Sequence, residues 1–106
     1  MKKSNKTDNL YEAILALKNQ SEAKRFFRDL LTEGEILEFG SRWQAAQMLD
    51  KKKTYPEIIK STGLSTRTIA RISQWLKNGR GGYRIIINRF EKKHSGLSGK
   101  RPILPR

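Results

Sequence analysis

One stretch limits the fold more than any other: TYPEIIKSTGLSTRTIARISQWLK, Thr54 to Lys77. Thr54 and Glu57 have the spacing of a capping box, and Pro56 stands in the first turn, where its missing N–H does no harm. The helix they open can run only to about Thr62, because Gly63 suits a left-handed turn. Ser65 can cap a second helix, whose inward face is Ile69, Ile72 and Leu76. A helix–turn–helix needs a short first helix, a small turn residue, an apolar residue after the turn and apolar anchors beyond it. The short helix, Gly63, Leu64 and the pair Ile69 and Ile72 meet these needs, with Ile58 facing the anchors. Two residues depart from the common pattern. Ile59 is bulky four residues before the glycine, and Thr62 is polar where an apolar residue is usual.

The rest of the chain reads as helix around this unit. Residues 1–7 are polar and expected to fray, and Asp8 or Asn9 can cap a helix carrying Leu10, Ile14 and Leu17. Ser21 is a candidate cap for a second helix, with Phe26, Phe27, Leu30 and Leu31 as its stripe. Thr32 and Glu35 form another capping-box pair, after which Ile36, Phe39, Trp43 and Ala46 recur at helical spacing. This third helix is the most apolar and is expected at the centre of the core. Gly40 inside it costs about 1 kcal/mol against Ala, and close approach of another backbone is the expected reason. "DKKK" ends it with cations suited to the C-terminal dipole, and "NGRGG" stops the helix that begins near Ser65. "YRIIINRF" could be a strand by its isoleucines. However, Tyr83, Ile86, Ile87 and Phe90 share a helical face, and no partner strand is evident, so a short helix is expected. The segmentation is a frayed terminus (1–7), one all-α domain (8–91, with the helix–turn–helix at 54–78) and a basic Gly/Pro-containing tail (92–106).

Charge points to the partner. The formal net charge is +13, and residues 1–50 hold 8 Lys/Arg against 8 Asp/Glu. Residues 51–106 hold 15 Lys/Arg against 2 Asp/Glu, so the whole excess lies in the half that contains the helix–turn–helix. Such a one-sided field draws polyanions, nucleic acid first. The outward face of the second helix carries Thr66, Arg67, Ala70 and Arg71, with no acid to repel phosphate. Arg can bond guanine O6 and N7, and Ala or a Thr methyl can meet a thymine methyl. Thr54, Lys60, Ser65, Thr68 and Gln74 are candidate phosphate contacts.

Other chemistries find little support. The chain has no cysteine and one histidine, and the ten acids form no metal cluster or nucleophile–base set. The Gly-rich "GRGG" follows a helix rather than a strand. No enzyme and no cofactor are expected. The sequence has no apolar run long enough to span a membrane and no signal-peptide pattern, so a cytoplasmic location without membrane contact is expected.

Three segments, "LLTEGEILEFGSRWQAAQML", "TYPEIIKSTGLSTRTIARI" and "YRIIINRF", resemble the Trp repressor family, and most nearly its YerC/YecD-type, repressor-like branch. The resemblance spans roughly residues 26–90. It implies an interwoven all-α homodimer in which each chain presents one helix–turn–helix to double-stranded DNA. It also implies that Arg42 and Arg71 match the two arginines that sandwich the indole of bound tryptophan. Thr32 matches the residue whose backbone helps hold the amino group. The family has a glycine after the second arginine and a serine further on, where this chain has Ile72 and Trp75. The expectation is that Ile72 and Trp75 fill the pocket, so that tryptophan is not the corepressor and the DNA-reading helices are locked in place without it; whether another small molecule is sensed stays open. Two alternatives stay open: a nonspecific nucleic-acid binder acting through its basic tail, and a helical protein-interaction module.

Overall fold

A computed structural model describes residues 5–97. Its elements are α1 (Asn5–Leu15), α2 (Gln20–Leu30), α3 (Glu33–Asp50), α4 (Tyr55–Thr62), α5 (Thr66–Asn78) and α6 (Gly82–Leu97), with no strand among the described residues. The chain divides into two compact units, Met1–Phe39 and Gly40–Arg106, with the boundary inside α3.

In the first unit, α1 begins at Asn5, earlier than the Asp8 or Asn9 cap expected, so residues 5–7 are helical. α2 is capped by Asn19 rather than Ser21. The Asn19 side chain accepts from the Glu22 N–H at 2.9 Å, while Glu22 reaches back to the Lys18 N–H at 3.0 Å. Thr32 and Glu35 form both bonds of a capping box, at 2.9 and 3.1 Å. Phe26 and Phe27 meet edge to face at 5.5 Å. Neither α1 nor α2 has a buried residue. Tyr11, Leu15, Leu30, Leu37 and Phe39 are all exposed, Leu15 by 84% and Leu37 by 67%.

The second unit holds the core: Ala45, Ala46, Ile58, Ile69, Ile72 and Ile87, with Trp43, Met48, Leu49, Tyr55, Leu64, Leu76 and Tyr83 packed against it. α3 therefore reaches the core only through its C-terminal half, a narrower role than its apolar sequence suggests. Beyond its own helix, Gly40 has no atom of the described residues within 4 Å of where a Cβ would stand, so the close backbone approach expected there is not found among them. α6 packs on α5 and sends Ile87 into the core. The helical reading of "YRIIINRF" is the one observed. Trp43 of α3 stacks on Tyr83 at 6.4 Å and meets Phe90 edge-on at 5.4 Å, which joins α3 to α6. α6 continues to Leu97, six residues into the segment read as a tail; residues 98–106 lie outside the described residues, as do 1–4.

Candidate nucleic-acid interface

The helix–turn–helix is built by its caps. The Thr54 hydroxyl accepts from the Glu57 N–H at 3.3 Å, and the Glu57 carboxylate accepts from the Thr54 N–H at 2.8 Å. This bonding holds the Glu57 carboxyl below its usual range, the backbone bond from Thr54 being the main cause. Gly63 ends α4 at φ 75°, in the left-handed region, and its N–H bonds the Ile59 carbonyl at 2.8 Å. Thr62, polar where an apolar residue is usual, has work in the turn. Its hydroxyl donates to the Ile58 carbonyl at 2.7 Å and accepts from the Leu64 N–H at 3.2 Å. Ser65 then caps α5 by accepting from the Thr68 N–H at 3.1 Å.

Three buried isoleucines lock the two helices together: Ile58 from α4, Ile69 and Ile72 from α5. Their burial fixes which side of α5 faces water. Thr66, Arg67, Ala70, Arg71 and Gln74 are all exposed, at the helical spacing of one face, and α5 carries no acid anywhere along its length. The five base-facing and neighbouring candidates thus share one accessible surface. Lys60 is exposed on α4. Ser65 and Thr68 are partly committed, because the Ser65 hydroxyl donates to the Thr68 hydroxyl at 3.0 Å. Thr54 is likewise engaged in its capping box, where its hydroxyl accepts from the Glu57 N–H and also bonds the Glu57 carboxylate.

The residues matched to a tryptophan pocket behave differently from one another. Ile72 is 1% exposed and belongs to the core. Trp75 is 50% exposed and lines an open groove with Asn78, Gly79, Arg80, Gly82, Tyr83 and Ile86. Within one chain, then, Ile72 is packed and Trp75 is not. The difference follows from position: Ile72 lies one turn beyond Ile69 on the buried side of α5, and Trp75 lies toward its end. Arg42 is half-buried on α3 and Arg71 is exposed on α5. Burial raises the Tyr83 hydroxyl above its usual value, with the Arg42 charge opposing it. Thr32 is occupied at its N–H, hydroxyl and carbonyl, the last accepting from Ile36 N–H at 3.1 Å.

Among the described residues no group of His, Cys, Asp or Glu could hold a metal ion, and no helix is long and apolar enough to cross a membrane.

Residues 5–91 match the family model described as Trp repressor protein. The chain is 38% identical over 93 residues to the Bacillus subtilis (strain 168) protein YerC, covering 88% of this chain and 89% of that one. Two solved structures are similar over more than four-fifths of the chain. One is a candidate Trp repressor from Staphylococcus aureus, with TM-score 0.79, 37% identity and 84% and 89% of the two chains covered. The other is a TrpR-like protein from Eubacterium eligens, with TM-score 0.80, 40% identity and 83% and 91% covered.

Proposed function

The chain belongs to the Trp repressor family of helix–turn–helix DNA-binding regulators, and from that premise we propose that it is a homodimeric, sequence-specific transcriptional repressor of the cytoplasm that works without tryptophan. The observation that carries this reading is the acid-free, exposed face of α5, held in register by Ile69 and Ile72. Arg67 and Arg71, with Thr66 and Ala70 between and beside them, read base edges in the major groove. Thr54, Lys60, Ser65, Thr68 and Gln74 meet phosphates.

Dimerisation is supported by the first unit, where Tyr11, Leu15, Leu30, Leu37 and Phe39 are exposed. Independence from tryptophan is supported by Ile72. In the family a glycine leaves room for the ligand at this position, and here a branched side chain is built into the core.

In-vitro selection from random duplex DNA, with and without tryptophan, tests the reading. The expected result is a two-fold-symmetric motif, with half-sites roughly 34–36 Å apart, enriched equally in both conditions. Enrichment only with tryptophan would overturn the ligand-free claim. Binding with no enriched motif would replace specific with nonspecific recognition.

A further inference from the structure

The junction between α3 and α4 carries three consecutive lysines, Lys51, Lys52 and Lys53, all exposed. Its backbone is a Schellman motif. The Lys52 N–H bonds the Leu49 carbonyl at 3.0 Å, and the Lys53 N–H bonds the Met48 carbonyl at 3.0 Å. Lys52 occupies the left-handed position at φ 66°, and it is the one non-glycine residue with positive φ among the described residues. Glycine is the usual occupant of that position, because a side chain there is strained. A lysine kept at a site that favours glycine points to a use for its side chain.

The surrounding charges sharpen the point. Lysines near a helix end are ordinarily balanced by neighbouring acids. The acid before the run, Asp50, is bound by Arg84 at 2.7 Å. The acid after it, Glu57, is held by the capping box at Thr54. Both carboxyls are lowered chiefly by those partners, with the lysines contributing least. The backbone of the turn is fixed by its two hydrogen bonds, and its three lysines outnumber the two acids, Asp50 and Glu91, that line one pocket with Lys51. It is also covalently joined, through Thr54, to the first helix of the helix–turn–helix.

We propose that the Lys51–Lys52–Lys53 turn is a phosphate-binding element that grips the duplex backbone next to the helix–turn–helix, adding affinity without sequence preference. The inference rests on the DNA-binding reading of α5. Its ligand is the phosphodiester backbone of double-stranded DNA, met by three point charges on a fixed turn.

The test uses the full chain and fluorescence anisotropy on two short duplexes, one carrying the selected motif and one of random sequence. Three variants are compared: Lys52→Gly, the triple Lys51→Gln, Lys52→Gly, Lys53→Gln, and Arg67→Ala. Lys52→Gly fits the left-handed backbone, so the fold is retained and thermal melting confirms it. The triple variant is expected to lose about tenfold or more in affinity on both duplexes, with the preference between them unchanged. Its salt dependence should be shallower by about 0.9 in log–log slope for each phosphate it no longer neutralises. Lys52→Gly should show a smaller loss of the same kind together with an undiminished melting temperature. If the lysines serve only the dipole at the end of α3, the substitutions lower the melting temperature and leave affinity and salt slope unchanged. That result overturns the inference while Arg67→Ala still weakens binding to the motif. If the unsubstituted protein binds neither duplex, the DNA-binding reading falls first and takes this inference with it.

Discussion

The Asp50 carboxylate accepts a hydrogen bond from the Arg84 guanidinium at 2.7 Å, tying the last residue of α3 to the first turn of α6. The pair also offsets the charge of one arginine in the basic half of the chain. Asp50 is mostly covered and Arg84 is 46% exposed, so solvent screens the pair and its worth is about 0.2–1 kcal/mol.

Asp50 gives the fold an acid limb. The Arg84 bond holds its carboxyl below the usual carboxylate value in the folded state. A depressed folded value means the stabilisation is complete above the unfolded value, near about pH 3.9. It is lost as the pH falls through the lower folded value. Asp50→Asn is expected to cost about 0.5 kcal/mol at neutral pH and to flatten the melting temperature's dependence on pH below about 4. Melts from pH 2 to 7 on both proteins check this. An unchanged acid limb in the variant would assign that limb to other carboxyls.

Ile72 is the residue whose removal should be felt most. It is fully packed among Ala45, Ala46, Ile58, Ile69 and Ile87, and Ile72→Ala is expected to cost about 2–5 kcal/mol. Trp75→Ser, at a half-exposed site, should cost much less. Urea unfolding of each variant measures the two. A near-neutral Ile72→Ala would mean the α4–α5 core is not what orients the DNA-facing helix.

Arg67 stands on the exposed face of α5 beside Arg71. Arg67→Ala is expected to cost about 1–3 kcal/mol of binding to the preferred site and to relax specificity at one base position. Lys60→Ala should instead weaken all duplexes alike. Competition against single-base variants of the motif separates the two. Uniform loss for Arg67→Ala would move that residue from base to phosphate contact.

Much of the fold is legible in the sequence because local chemistry decides it. The Thr54 box, Gly63 and the Ser65 cap fix the helix–turn–helix boundaries with groups a few residues apart. The face of α5 then follows from Ile69 and Ile72. What local pattern does not supply is long range. Asp50 and Arg84 are 34 residues apart, and nothing near either one announces the other. Asn19 takes the cap expected of Ser21, its side chain accepting from the Glu22 N–H while the Glu22 carboxylate accepts from the Lys18 N–H. Periodicity overstates the burial of α3, because it shows that residues share a face, not that the chain itself covers that face.

That uncovered face leads to the last prediction. Leu37 and Phe39 in the first half of α3 are exposed by 67% and 52%, as are Leu15 by 84% and Tyr11 by 61%. Large apolar groups of this number are costly in water, at about 25 cal/mol for each Å² left uncovered. A second copy of the chain would remove that cost, and Gly40, with no described atom outside its own helix within 4 Å of where a Cβ would stand, would admit a close neighbour. Sedimentation equilibrium should therefore give a dimer at micromolar concentration, and Leu37→Glu with Phe39→Ser should shift it to monomer. Dilution should lower the melting temperature of the unsubstituted protein, because association and folding are linked. The substituted chain should melt lower and show no such dependence. A monomer at all concentrations, melting independently of dilution, would remove the dimer and with it the two-fold symmetry expected of the DNA site.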